Sequence, residues 1–343
     1  MSVAIVDFAN FRDGTQQQRS EIAKRLTENL HKNGAVRLIN HGVTAELIKE
    51  AFAWGEKFFK LPQAELAKIP NERNANPQRG WSYIGSEKTS KLNKVNMNGQ
   101  WLIAEDESVP QDLEDVKEHF DFSHDGDEEF PSKWPQEASI PGFRAFMQLF
   151  LETCMDVARE ILTGIELGLE LPVGTLVDRC LTRVDELRLN HYPPLPIEKL
   201  AEGKHKRAWP HTDFGVITML FQDAAGGLEV EDRKRPGSFI PINCESPTEV
   251  GVYVSDNLAH LTNDYLRAGV HQVVSPVSLQ DKLSGAVLPE RSSIAMFVKP
   301  DRHVSVGSID KYVTAKHPRR YENITALDLH RKRVAQLYET AAY

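Results

Sequence analysis

Near the middle of the chain, in "WPHTDFGVIT", His211 and Asp213 stand two residues apart among β-branched and aromatic neighbours. In an extended strand, residues i and i+2 share a face, so an imidazole and a carboxylate can aim here at one point. Two such ligands hold a divalent metal weakly, and a third is needed. His271, in the strand-like run "AGVHQVV", is the candidate. Two histidines and one carboxylate on one side of a metal suit a non-haem Fe(II) centre, with the remaining positions open to substrate and dioxygen.

A second His-x-Asp pair, His119 and Asp121 in "EHFDF", lacks a β-rich neighbourhood and is expected to bind no metal. It lies in an acidic block: residues 105–129 hold twelve acidic side chains and one lysine. Such blocks repel rather than pack, so a solvated surface excursion is expected. His41, in the turn "NHG", reads as structural, and His260 and His303 as surface or hydrogen-bonded residues.

A second constellation supports the first. In "RSSIAMF", Arg291, Ser293, Ala295 and Phe297 share one strand face, while Ile294, Met296 and Val298 take the other. An inward arginine must be paired, since burying it alone costs several kcal/mol. Its planar fork fits a carboxylate, and a hydroxyl two residues on adds a donor. "ELRLNHYPP" alternates likewise, with Leu187 and Leu189 on one face and Arg188, Asn190 and Tyr192 on the other. The second face makes a poor core and a good polar pocket wall.

The elements that must carry these residues are legible too. Thr15 and Gln18 form a capping box for a helix over 15–33, which Gly34 stops. "AVRLI" is a strand, residues 44–60 form a second helix, and the apolar period over 140–168 predicts a long third. Beyond residue 180, short strand-like runs alternate with loops rich in Pro, Gly and Asp, as in a β-sandwich or jelly roll. A last helix is expected near 325–340.

Composition narrows the function. At 343 residues with 41% apolar side chains the chain can fill a sizeable core, and a net charge of −8 argues against a broad nucleic-acid footprint. Three scattered cysteines, Cys154, Cys180 and Cys244, give neither a disulfide framework nor a thiolate zinc site. The opening "MSVAIVDFANF" lacks the basic start of a signal peptide, and no window has the apolar length to cross a bilayer. A cytoplasmic protein that acts on no membrane is the expectation; its oligomeric state is left open.

His-x-Asp, a distal His and Arg-x-Ser, in that order, resemble the iron- and 2-oxoglutarate-dependent dioxygenases of the isopenicillin N synthase-like group. "IVDFANF", "NGAVRLINHGV", "EKFFKLP", "RGWSYIGSEK", "DVKEHFDF", "LNHYPP" and "HTDFGVITMLFQDAAGGLEV" extend the likeness over nearly the whole chain. The resemblance implies a mainly β fold with flanking helices: a double-stranded β-helix (jelly roll, cupin-like) with a helical N-terminal region and a long support helix. The expected division is an N-terminal region over 1–120, an acidic linker with the support helix over 121–180, the jelly roll over 181–305, and a C-terminal helical segment over 306–343. It further implies Fe(II) on His211, Asp213 and His271, with 2-oxoglutarate and O2 as cosubstrates and no catalytic residue beyond the ligands. Arg291 and Ser293 would take the distal carboxylate of 2-oxoglutarate, and Tyr192 and Asn190 would help to fix it. Succinate and CO2 would be the co-products.

The chain departs from the pattern at Ser255 in "SDNL", at Gln272 after the distal histidine, and in the longer link "SLQDKLSGAVLPE". For the substrate, a small organic molecule oxidised in natural-product biosynthesis or small-molecule catabolism is expected. Arg188 faces the pocket either as a substrate contact or as half of an internal salt bridge. Phe214 and Phe297 are pocket walls or core, and Lys88, Lys91 and Lys94 line a substrate loop or a solvated face. Two rival readings stand: an iron oxidase of the same fold that needs no 2-oxoglutarate, and a non-catalytic small-molecule-binding protein.

Overall fold

The computed structural model describes residues 3–93, 113–276 and 285–337. Four long helices frame the described part. Helix α1 (Gln16–Asn33) opens on the expected capping box, with Thr15 accepting from the Gln18 N–H, and ends where Gly34 takes a left-handed φ of 71°. Helix α2 is Ala45–Phe59, α3 is Phe143–Gly168 and α4 is Ala326–Leu337. Replacing Thr15 by alanine should cost about 1 kcal/mol, read as a lower urea midpoint with an unchanged slope; no shift would mean that the cap is redundant.

Twelve strands supply the two main sheets: β1 (Ile5–Asp7), β2 (Ala35–Ile39), β3 (Gly80–Ser82), β4 (Glu118–Ser123), β5 (Glu186–Tyr192), β6 (Ala208–His211), β7 (Ile217–Gln222), β8 (Leu228–Glu231), β9 (Phe239–Pro241), β10 (Val250–Val254), β11 (His271–Val273) and β12 (Arg291–Val298). The large sheet runs β1-β2-β10-β7-β12-β5-β4-β3, and the small one β9-β8-β11-β6. This is the jelly roll. Crossovers between distant strands bring β5 and β12 together in the middle of the large sheet.

The alternation seen in the sequence becomes two faces. Leu187, Leu189, Ile294, Met296 and Val298 pack outward into the main core, against Phe150, Cys154 and Ile161 of α3. Opposite them, Arg188, Asn190, Tyr192, Arg291, Ser293, Ala295 and Phe297 line a cleft between the sheets. A register error of one residue in either strand would exchange the two sets.

The acidic block needs correcting within its described part. Residues 113–123 are no solvated excursion, although Asp125, Glu128 and Glu129 just beyond them are exposed as expected: Glu118–Ser123 is strand β4, hydrogen-bonded to β5 with Asp121 opposite Arg188 and His119 opposite Asn190. Asp115, His119 and Asp121 are all buried. Charge counting failed because the compensating cations lie far away in sequence. The segment before residue 113, like Lys94 and most of the link after Pro276, lies outside the described residues. No helix among those described is long and apolar enough to cross a membrane.

Candidate metal centre and cosubstrate cleft

The small sheet brings the three sequence-predicted ligands together. His211 ends β6, His271 begins β11, and the two are directly paired across the strands; Asp213 follows in the turn after β6. One ligand atom from each of the three lies within 4.8 Å of the others, the one such cluster found among the described residues. His119 and Asp121 are elsewhere, paired with each other at 3.2 Å.

Hydrogen bonding fixes the tautomers. His211 Nδ1 lies 2.7 Å from the Trp209 carbonyl and His271 Nδ1 lies 3.0 Å from the Gly269 carbonyl. A carbonyl only accepts, so each Nδ1 carries a proton, and in the neutral ring each Nε2 is left to present a lone pair to a metal. Both Nε2 atoms face Asp213, each 3.9 Å from one of its oxygens. Burial, then the neighbouring His271, push the His211 imidazole well below its ordinary pKa, toward the neutral form a metal needs. Two imidazole Nε2 atoms and a carboxylate converging on one point fit a divalent cation of the Fe(II) type. Gly215 is required beside them: a Cβ there would stand 2.4 Å from the Val298 carbonyl, which accepts from Val216 at 2.7 Å.

The large sheet carries a basic pole. Cross-strand pairing sets Arg291 opposite Tyr192 and Ser293 opposite Asn190. Arg291 is 1% exposed, and its guanidinium donates to the Gly226 carbonyl, Ser293 Oγ and Gln222 Oε1. Each acceptor is neutral, and the cation stacks 4.8 Å above the Tyr192 ring. A second guanidinium, Arg207, was missed in the sequence, where it looks like part of the short basic run 204–207. It is fully buried on the same pole, 6.0 Å from the Tyr192 ring. It donates to the Pro289 carbonyl, while its Nε and Nη1 have no partner among the described residues. Burial, then Arg291, lower its pKa to about 10.

Arg188 proves to be the hub of an internal network. All five of its N–H donors are taken: Nε and Nη2 by Asp121, Nη1 by both Glu87 oxygens, and Nη2 also by Gln78. Lys117 adds a 2.6 Å pair with Glu87. Burial drives the Glu87 and Asp121 carboxyls up, but Arg188 first, then Lys117 and His119 for Glu87 and His119 for Asp121, more than offset it, leaving both below the usual range. Asp115 goes the other way: burial outweighs Lys117 and Thr89 and lifts it to about 7. Of this network the sequence singled out only Arg188, His119 and Asp121.

The lining of the cleft includes the three ligands, Arg291, Ser293, Tyr192, Glu87 and Lys117. Phe214 and Phe297 both line it. Phe214 packs on Leu92, Val334 and Leu337, and Phe297 lies under the Arg188 guanidinium at 5.5 Å. Helix α4 closes one side and is tied to the ligand turn: Arg333 donates to Thr212 Oγ1 at 3.0 Å and pairs with Asp256 at 2.8 Å. Lys88 and Lys91 do not line the cleft.

Comparison with known proteins agrees with this geometry. Residues 3–137 match the family described as "non-haem dioxygenase in morphine synthesis N-terminal", and residues 184–300 match the 2OG-Fe(II) oxygenase superfamily. The 2-oxoglutarate-dependent dioxygenase ecdK of Aspergillus rugulosus is 42% identical, over 98% of this chain and 100% of its own length. A proline hydroxylase, buaE of Petromyces alliaceus, is 36% identical over 98% of this chain and 100% of its own. Among solved structures, a full-length Neurospora crassa protein in complex with alpha-KG and thymine superposes with a TM-score of 0.83 at 29% identity, covering 98% of this chain and 97% of that one. These likenesses decide against the 2-oxoglutarate-independent oxidase and the non-catalytic binder. The chain belongs to the 2OG-Fe(II) oxygenase superfamily and is a 2-oxoglutarate-dependent dioxygenase, using Fe(II), 2-oxoglutarate and O2.

Proposed function

We propose that the enzyme oxidises an unactivated C–H bond of a small organic molecule bound in the cleft, with Fe(II) on His211, Asp213 and His271. Bound there, the iron supplies the dioxygen chemistry, coupled to conversion of 2-oxoglutarate to succinate and CO2. The protein's own part is binding, orientation and exclusion of water. Arg291 and Ser293 take the distal carboxylate, and Tyr192 and Asn190 border it. The observation that carries this reading is Arg291 itself, a buried cation bonded, among the described residues, to neutral acceptors only, in the same cleft as three converging ligand atoms. A buried guanidinium is costly without an anion, and a bound carboxylate supplies one.

The thymine bound by the Neurospora crassa relative and the proline in the name of buaE support a small molecule as substrate. A net charge of −8 favours neither nucleic acid nor an acidic membrane as partner. Phe214 and Phe297 serve as apolar walls. Arg188, with no donor to spare, shapes the wall through Glu87 and Asp121 instead of donating to the substrate. Arg291→Met should raise the KM for 2-oxoglutarate about 10- to 100-fold, as expected for lost charged hydrogen bonds, with a smaller change in kcat. An unchanged KM would show that the cosubstrate is anchored elsewhere.

A further inference from the structure

Glu87 and Lys117 form a buried ion pair in the wall of the cleft, and none of the chemistry above uses it. Their capacity is unequal. Glu87 accepts from Arg188, Gln78 and Lys117. The Lys117 ammonium has three N–H donors; one meets Glu87, and Asp115 at 3.9 Å is beyond hydrogen-bond reach. Two donors therefore have no partner among the described residues, on a cation that lines the cleft.

The wall is also balanced in charge. Lys117 and Arg188 stand against Glu87 and Asp121. Asp115, lifted to about 7 by burial, adds only part of a charge near neutral pH. A ligand with one net charge would leave an uncompensated charge in a desolvated wall, which is costly. A ligand with both charges and none in sum meets Lys117 and Glu87 without disturbing the balance. Beside this pair the cleft turns apolar, with Leu92, Phe214, Phe297 and Leu337 in its lining.

We infer that the substrate is a free α-amino acid with an apolar side chain: its carboxylate takes the open Lys117 donors, its ammonium takes the place of Gln78 on Glu87, a bond that is long at 3.3 Å, and its side chain lies among the apolar residues. This rests on the reading that the cleft holds Fe(II), 2-oxoglutarate and substrate together. It explains why two opposite charges are buried side by side in a pocket wall, where an apolar pair would cost less.

The test varies the ligand and leaves the protein intact. The Fe(II) enzyme is first brought with 2-oxoglutarate to its visible charge-transfer band without oxygen. Free apolar α-amino acids are then compared with their N-acetyl and C-amide derivatives and with thymine, by succinate formed in air above the substrate-free rate. At least one free amino acid should stimulate succinate formation, and capping either end should weaken its KM at least about tenfold, one lost charged hydrogen bond. Lys117→Met should raise that KM to a similar degree with the KM for 2-oxoglutarate unchanged. Capped derivatives that serve equally well, or stimulation by thymine with none by free amino acids, would overturn the inference while the band upholds the iron and cosubstrate reading. Absence of the band would remove both.

Discussion

Replacing Asp213 by alanine will lower succinate formation by at least about a thousandfold, since loss of a residue that merely supports a metal ligand already costs about 10- to 100-fold. The fold will survive. The substitution removes only a side chain whose polar neighbours are the two imidazole Nε2 atoms at 3.9 Å. The turn is held instead by the main chain, with the Asp256 N–H donating to the Asp213 carbonyl at 2.8 Å. At 3.9 Å the carboxylate is beyond hydrogen-bond reach of either imidazole, so the apo variant should differ little in stability from the apo wild type. Turnover assays and thermal unfolding together check this. Activity within tenfold of wild type would mean that the carboxylate is no ligand.

Arg188→Met will destabilise the protein by about 3–5 kcal/mol, the usual result of removing one partner from a buried ionic network. The loss is large because all five guanidinium donors are engaged, so Asp121 and Glu87 both lose their main cation. The pH dependence carries a signature. In the wild type both carboxyls lie below their ordinary range. Their contribution is thus full at neutral pH and is lost as the pH falls below about 4, through the lower folded values. In the variant, burial dominates and raises the Asp121 carboxyl, so this group lowers stability as the pH rises above about 4. Urea unfolding at pH 4 and pH 7 measures the difference. A variant as stable as wild type at pH 7 would show the network to be dispensable.

The candidate metal site was legible where it depends on local geometry. A period of two fixes which residues share a strand face, so His211 with Asp213 and Arg291 with Ser293 could be paired before any fold was known. The same rule separated Leu187 and Leu189 from Arg188 and Tyr192, and the structure keeps that division. What the sequence hid depends on contacts between distant residues. Asp121 sits in a block whose composition looks solvated, yet it is buried because the register of β4 on β5 places it opposite Arg188. Asp115 and Lys117 looked like more of the same block. Arg207 looked like the end of a basic run, and only its packing beside Tyr192 and Pro289 shows it enclosed. Glu87 and Lys117 become a pair only when the segment before residue 93 meets the chain just ahead of β4.

The central claim is that His211, Asp213 and His271 hold an Fe(II) ion that 2-oxoglutarate then chelates. It is tested most directly by an anaerobic titration with Fe(II) and then 2-oxoglutarate, followed in the visible spectrum for wild type and Asp213→Ala. The account predicts a weak charge-transfer band in the wild type that needs both additions, and no band in the variant. A band that survives the loss of Asp213, or a wild type that binds iron yet gives no band with the keto acid, would contradict it.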